Sequence, residues 1–122
     1  MKNIGIIGLG YVGMPLAYLT AYNGYNVIGI DNCDKTILKI NNKINIPKEL
    51  QQVNYSELNL YATEDYTKLK DVEVIIICVP TPTVKNKPDL TIIEKLIGSI
   101  GNYIKKGCLI ILESTVAPRY DQ

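Results

Sequence analysis

The sequence contains no histidine, no tryptophan and no phenylalanine, and Arg119 is the single arginine among its 13 cationic residues. Without histidine, the chain has no imidazole base, no Ser-His-Asp or Cys-His catalytic arrangement and no histidine metal ligand. Cys33, Cys78 and Cys108 are odd in number and include no C-x-x-C pair, which argues against a disulfide scaffold or a zinc site. Such cysteine usage favours the reducing cytoplasm.

Charge and hydropathy argue against two classes of partner. The formal net charge is +1 and no long basic run occurs, so we expect no nucleic-acid partner. No segment approaches the ~18–20 consecutive apolar residues of a membrane span, so we expect no membrane association. The segment from Lys2 to Ile7 has features of a short signal peptide, but the glycines that follow and the lack of an A-x-A cleavage site argue against one.

What the sequence does contain is a series of short apolar segments. The chain has 122 residues, 47% of them hydrophobic, and we predict one small domain over residues 1–122. Four runs rich in β-branched residues and a weaker fifth show no in/out alternation, which predicts strands buried on both faces of a parallel sheet. These runs are Ile4–Ile7, Val27–Ile30, Val74–Val79, Leu109–Leu112 and, more weakly, Leu60–Thr63.

Helical patterns separate these runs and predict helices over residues 12–23, 34–42 and 91–103. The first helix would place Val12, Leu16, Leu19 and Tyr22 near one face. Strands alternating with helices predict an α/β fold, a Rossmann-type doubly wound parallel sheet of about five strands in the order 3-2-1-4-5.

Local signals place the ends of these elements. Asp34 is a candidate cap of the second helix, and Thr91 with Glu94 predicts a capping box at the start of the third. The run 105–107, two lysines and a glycine, is typical of a helix end. Thr83–Asp89, flanked by prolines, predicts a loop at the carboxyl end of a strand, where open α/β sheets bind ligands.

The strongest functional signal is a glycine motif between the first predicted strand and helix. Gly8, Gly10 and Gly13 form G-x-G-x-x-G, and Asp31 follows the next strand 23 residues after Gly8. In dinucleotide-binding sites these glycines allow a tight turn, close approach of the backbone to the pyrophosphate, and close packing of helix on strand. The pyrophosphate then meets the helix N-terminus. The alternative is a glycine-rich turn that binds nothing.

Asp31 indicates which dinucleotide is bound. A carboxylate accepts hydrogen bonds from a ribose hydroxyl and repels a 2′-phosphate, so NAD is expected rather than NADP. Alternatively, Asp31 only caps the next helix. Lys35, one turn further, is either a cofactor contact or a solvated lysine.

Two further polar segments lie at predicted strand ends. Val79–Pro82 holds Pro80 and Thr81 in an extended loop that could face a ligand, or it is a plain rigid turn. Glu113–Thr115 follows the last strand at the same sheet edge and is either a ligand rim or a simple strand exit. We assign no catalytic role to any of the three cysteines, because no histidine or cationic cluster activates one.

Four motifs in order resemble the UDP-glucose/GDP-mannose dehydrogenase family, most closely its UDP-N-acetylglucosamine and UDP-N-acetylmannosamine 6-dehydrogenases. They are I-G-L-G-Y-V-G-M-P-L-A (Ile7–Ala17), V-P-T-P (Val79–Pro82), P-D-L (Pro88–Leu90) and L-E-S-T-V-x-P (Leu112–Pro118). The resemblance implies an NAD-binding domain of an enzyme that oxidises the sugar C6 hydroxymethyl group to a carboxylate with two NAD, for polysaccharide precursor synthesis. It also implies cofactor contacts at Tyr11, Val12, Asp31, Thr81 and Thr115, with Thr115 toward the nicotinamide.

The sequence also departs from this family. The family's catalytic cysteine, lysine and asparagine lie downstream of the E-S-T motif, in sequence that this chain does not contain, and its usual G-T pair is replaced by Arg119 and Tyr120. Residues 41–52 are shorter than the family's segment, with Lys43 for its usual glycine. We therefore expect a domain incomplete at its C-terminal end, without the later domains and inactive alone.

Other readings stay open. A partner chain could supply the missing substrate domain, or the chain could be a free-standing NAD-binding or interaction module. A hydroxyacid-type dehydrogenase domain fits Asp31 and the glycines but not V-P-T-P or E-S-T. A non-functional gene remnant is the last alternative.

Overall fold

The computed structural model of the chain describes residues 2–42, 58–79, 83–84, 87–88 and 90–113. In chain order the elements are β1 (Asn3–Ile7), α1 (Gly13–Tyr22), β2 (Asn26–Ile30), α2 (Asp34–Asn41), β3 (Leu60–Thr63), a 3-10 helix (Tyr66–Asp71), β4 (Val74–Ile77), β5 (Thr83–Val84), β6 (Lys87–Pro88), α3 (Thr91–Ile100) and β7 (Leu109–Leu112).

Five of these strands form one parallel sheet in the order β3-β2-β1-β4-β7. This order confirms the predicted doubly wound sheet, because β7 is the fifth of its strands along the chain. In the register, Ile7 at the end of β1 lies opposite Ile30 of β2 and Ile77 of β4. The carboxyl ends of the three central strands therefore meet at one edge of the sheet.

The central strands β1, β2 and β4 are covered on both faces, as the lack of alternation in their sequences predicts. The same prediction is wrong for β7, three of whose four residues are exposed at the edge of the sheet. On one face, α1 and α2 pack Tyr18 and Ile40 against Ile6. On the other face, the 3-10 helix and α3 pack Leu69 and Ile100 against the β4 side chains. Isoleucine dominates the second cluster, where its β-branched side chain suits the pleated surface of the strands.

The predicted apolar face of helix α1 is confirmed in part. Val12 and Leu16 pack against the core, whereas Leu19 and Tyr22 are half exposed. The buried residues of the helix are Gly13, Ala17, Tyr18 and Ala21. The small residues among them let the helix axis approach the sheet closely.

Several predicted boundaries shift by a few residues. Strand β4 ends at Ile77 rather than Val79. Helix α3 ends at Ile100 rather than Tyr103, because the Ile100 carbonyl accepts the N–H groups of both Tyr103 and Ile104 and closes the helix in a turn. The predicted loop after β4 contains the short antiparallel pair of β5 and β6.

Both predicted caps are wrong in detail. The N-cap of α3 is Leu90, so Thr91 is already helical and cannot act as the cap of a capping box. The N-cap of α2 is Cys33, and Asp34 lies in the first turn. Asp34 still favours the helix there through the positive end of its dipole.

The two edges of the sheet differ. On the β3 side, the Asn41 side chain of α2 donates to the Ala62 carbonyl (2.9 Å) and accepts the Ala62 N–H (2.8 Å). On the β7 side, Leu109, Ile111 and Leu112 are exposed. Within the described part of the chain, no helix has the length and hydrophobicity needed to cross a membrane.

Candidate functional site

A cavity of about 570 Å³ opens at the carboxyl edge of the sheet. The segment Gly8–Val12, which we call the glycine-rich loop, forms one side of it. The ends of the central strands contribute Ile7, Ile30 and Cys78, and Asp31 lies on its rim. The structure thus gathers the predicted motif, the predicted acid and the strand ends around one space.

Gly8 makes the turn out of β1. Its φ is +90°, which L side chains rarely adopt, and its N–H donates to the Ile30 carbonyl (2.8 Å). A Cβ at this position would lie 3.0 Å from the Cys78 backbone. The first glycine of the motif is therefore required by backbone conformation and by the nearness of β4.

Gly13 lets α1 begin directly against the loop. A Cβ on Gly13 would lie 1.6 Å from the Gly8 carbonyl oxygen, a distance no structure tolerates. The third glycine therefore performs the helix–strand packing that the motif predicts.

Gly10 faces open space. A Cβ built there meets no atom within 4 Å, and Gly10 lines the cavity. No packing within the described residues explains its missing side chain, and a side chain would instead fill this open space. The space in front of the Gly10 backbone, which we call the cradle, suits the close approach of a pyrophosphate.

The N-terminus of helix α1 adds a positive electrostatic potential at the glycine-rich loop. The helix starts at Gly13 with Val12 as its N-cap, and its first turn holds no acidic residue. Its positive end therefore lies beside the cradle, and no carboxylate of its own first turn reduces that charge. Tyr11 is fully exposed at the mouth of the cavity.

Asp31 ties the loop to the end of β2. One carboxylate oxygen accepts the Leu9 N–H (2.8 Å) and the other accepts the Cys33 N–H (2.9 Å). Asp31 therefore holds the loop before α2, and Cys33 rather than Asp31 is the N-cap of that helix. A carboxylate has about four acceptor positions, so two remain for ribose hydroxyls.

Of the remaining predicted contacts, the structure describes only Lys35. Lys35 is exposed on α2 and is not among the cavity-lining residues. Pro80, Thr81 and Thr115 lie outside the described residues, so their contacts stay predictions. Glu113, which precedes Thr115, is exposed at the carboxyl end of β7.

Tyr66 is a cavity residue that the sequence reasoning missed. It opens the 3-10 helix and lines the cavity together with Asp31. Burial raises the pKa of the Tyr66 phenol, and the Asp31 carboxylate raises it further. The signal available in the sequence was its position three residues after β3, the strand beside β2.

The cysteines differ in environment. Cys78 is buried at the cavity floor, and burial together with the Glu113 charge raises the pKa of its thiol. Cys33 is exposed, and hydrogen bonds with Thr36 lower the pKa of its thiol. No group of three or more acidic or cysteine side chains among the described residues is placed to hold a metal ion.

Comparison with known proteins identifies the family of this chain. Residues 2–122 match the profile of the UDP-glucose/GDP-mannose dehydrogenase family, NAD binding domain. The chain is 39% identical over 123 residues to UDP-N-acetyl-D-mannosamine dehydrogenase of Methanocaldococcus jannaschii, covering 96% of this chain and 29% of the relative. It is 37% identical over 117 residues to UDP-N-acetyl-D-glucosamine 6-dehydrogenase of Salmonella typhi, covering 94% and 27%.

The fold is shared as well. The solved structure of UDP-D-ManNAc dehydrogenase from Pyrococcus horikoshii superposes with a TM-score of 0.79 at 36% identity, covering 96% of this chain and 29% of that one. The chain thus spans under a third of the length of the relatives it matches. Because the family profile matches nearly every residue, the chain belongs to the UDP-glucose/GDP-mannose dehydrogenase family, corresponds to its NAD binding domain and has NAD as its cofactor.

Proposed function

We propose that residues 1–122 act as one NAD-binding domain and hold the cofactor in the cavity at the carboxyl edge of the sheet. The observation that carries this proposal is the cradle at Gly10, left open beside the start of α1 in a loop that Asp31 fastens to β2. The proposed cofactor contacts are Gly8, Gly10, Tyr11, Val12, Gly13, Asp31, Lys35, Pro80, Thr81 and Thr115.

Each part of the site contributes a different interaction. The Gly10 backbone and the first turn of α1 bind and neutralise the pyrophosphate. The two free acceptor positions on Asp31 take ribose hydroxyls, and its charge disfavours the 2′-phosphate of NADP. When bound, NAD supplies a hydride acceptor at its nicotinamide ring.

The activity that we propose is that of a nucleotide-sugar 6-dehydrogenase acting on a UDP-N-acetylhexosamine. The C6 hydroxymethyl group becomes a carboxylate with two NAD reduced, in the synthesis of a polysaccharide precursor. Two relatives support this choice by their names, UDP-N-acetyl-D-mannosamine dehydrogenase and UDP-N-acetyl-D-glucosamine 6-dehydrogenase. The three unpaired cysteines, none of which matches the family's nucleophile, are consistent with a cytoplasmic location.

The chain alone is expected to bind NAD without oxidising a sugar. A polypeptide that supplies the substrate domain and its nucleophile completes the enzyme in this proposal. NADH production from UDP-N-acetylmannosamine or UDP-N-acetylglucosamine by the purified 122-residue chain would contradict this part. Tight NAD binding that no substrate-domain partner alters would favour a free-standing binding module instead.

A thermal melt with and without cofactor tests the binding proposal. Ligand at 100 times its Kd adds about 2.7 kcal/mol to the folded state, which raises the midpoint by several degrees. We expect NAD, and not NADP, to produce this rise. In the Asp31→Asn variant the rise with NAD should shrink, whereas the matched control Asp71→Asn, in the 3-10 helix away from the cavity lining, should behave as the parent chain. A midpoint indifferent to NAD would refute the proposal.

A further inference from the structure

The cavity is also lined by a set of largely apolar side chains that the proposed pyrophosphate and ribose contacts leave unused, and we call this set the apolar compartment. It consists of Ile7, Ile30, Tyr66, Val79, Ile92 and Leu96. The two strand residues belong to the buried cluster under α3, and Tyr66, Val79 and Leu96 pack against that cluster. The compartment therefore has an apolar floor and one aromatic wall.

The sheet register places Tyr66 beside Asp31. Strands β2 and β3 are parallel neighbours with Ile30 opposite Thr63, and the Asp31 N–H donates to the Thr63 carbonyl (3.2 Å). Tyr66 follows Thr63 by three residues. Burial raises the pKa of the Tyr66 phenol, and the Asp31 charge raises it further, which agrees with this proximity.

The turn that carries Tyr66 is held rigidly. The Asp65 side chain accepts the Thr67 N–H (3.0 Å) and the Thr67 hydroxyl (2.6 Å), and the Asp65 N–H donates to the Thr63 hydroxyl oxygen (3.1 Å). These bonds fix the backbone on both sides of Tyr66 before any ligand arrives. An aromatic side chain on a preordered turn binds a flat ligand at a small entropic cost.

We infer that Tyr66 is a binding residue for the adenosine half of the cofactor, with its ring forming the wall against which the adenine base packs. This inference rests on the proposed function, since it takes Asp31 as the acceptor for the adjoining ribose. The base fits here because it is flat and largely apolar, and contacts between a base and an aromatic side chain are favourable for any base. The Tyr66 ring, rather than its hydroxyl group, supplies the contact.

Calorimetric titration with ADP-ribose, which carries the adenosine but no nicotinamide, tests the inference. Tyr66→Leu should weaken ADP-ribose binding about tenfold, because the aromatic wall is lost. Tyr66→Phe should bind within about twofold of the parent chain, because the ring remains. The matched control Tyr103→Leu removes a partly exposed ring outside the cavity and should leave binding unchanged.

The NMR spectrum of bound ADP-ribose gives a readout that a merely structural role would not move. A base stacked on an aromatic ring shows upfield shifts of its H2 and H8 protons. We expect these shifts on the parent chain and on Tyr66→Phe, and their loss on Tyr66→Leu.

The possible outcomes separate the two proposals. If the parent chain binds ADP-ribose with no upfield shift, or if Tyr66→Leu binds as tightly as the parent, the Tyr66 inference is overturned and the NAD-binding proposal stands. If the parent chain does not bind ADP-ribose, both are overturned. If Tyr66→Leu fails to fold, Tyr11→Leu, which removes the other aromatic ring lining the cavity, decides the contact. Upfield shifts that persist in Tyr11→Leu assign the stacking to Tyr66, and their loss overturns the inference.

Discussion

Alanine substitutions at Gly13 and Gly10 should separate stability from cofactor binding within a single loop. At Gly13 the new Cβ would lie 1.6 Å from the Gly8 carbonyl oxygen, whereas ordinary contact begins at 3.4 Å. Either α1 or the loop must therefore move by nearly 2 Å. Overpacking of this kind costs 1–3 kcal/mol and sometimes more, and the rigid backbone oxygen places Gly13→Ala at about 3 kcal/mol.

At Gly10 the same substitution should leave the fold intact. The Cβ meets nothing within 4 Å, and alanine reduces the entropy of the unfolded chain, so we expect stability to be unchanged or up to about 1 kcal/mol higher. The methyl group does occupy the cradle, and we expect NAD affinity to fall at least tenfold.

Two assays decide the outcome. Thermal melts followed by circular dichroism should show the Gly13→Ala midpoint about 10 °C below that of the parent chain and the Gly10→Ala midpoint at or slightly above it. Calorimetric titration with NAD, well below these midpoints, should show the binding loss in Gly10→Ala. A Gly13→Ala chain that melts within about 2 °C of the parent would refute the packing argument, and parental NAD affinity in a folded Gly10→Ala chain would refute the cradle.

Three further predictions concern the rest of the molecule. Asn41→Leu should lower the free energy of unfolding by about 1–3 kcal/mol in urea, because it leaves the N–H and carbonyl of Ala62 without their side-chain partner. A backbone N–H of β1 lowers the pKa of Glu73 below its ordinary 4.5, so stability should fall as the pH drops below that value, and Glu73→Gln should remove part of this acid sensitivity. Iodoacetamide followed by mass spectrometry should label exposed Cys33 first, and NAD should slow the labelling of Cys78 in the cavity floor.

Each of these three predictions has a control variant or a result that would contradict it. Asn42→Ala removes an exposed amide that bonds only within its own helix turn, so it should cost much less than Asn41→Leu. Equal costs would contradict the role of the edge contact. An acid profile identical in Glu73→Gln and the parent would show that other carboxylates carry the pH dependence. Faster labelling of Cys78 than of Cys33 would contradict the described burial of the two thiols.

The sheet could be predicted because the residues within each short run are enough to identify it as a strand. Runs such as Val74–Ile77 are too short for helices and too uniformly apolar for half-exposed strands, which leaves buried parallel strands. The right-handed connection between parallel strands then permits few orders, and the observed one is among them. The roles of Gly8 and Gly13 followed from the motif for the same reason, since both glycines act on neighbouring backbone.

The features that could not be predicted depend on how distant parts of the chain are brought together in the fold. Hydropathy extends β4 to Val79, but Cys78 and Val79 leave the strand and line the cavity, and an apolar cavity wall has the same composition as a strand. Tyr66 lies in a short 3-10 helix with no apolar period, and only the pairing of β2 with β3 brings it to Asp31. The predicted face of helix α1 was wrong at Leu19 and Tyr22, because hydropathy gives little weight to small residues such as Ala17 and Ala21, which lie in the contact.

Because the Asn41 side chain bonds to both backbone groups of Ala62, the sheet can accept a further strand at only one of its two edges. Residues of β3 point their backbone groups alternately toward β2 and away from it, and the Thr63 carbonyl is among those bonded to β2. Both backbone groups of Ala62 therefore face outward, where an amide side chain already satisfies them. A polypeptide that extends this sheet by hydrogen bonding must consequently add beside β7, whose side chains Leu109 and Ile111 are already apolar and exposed. Additional strands, whether in a complete enzyme or in an aggregate, would join the sheet beside β7.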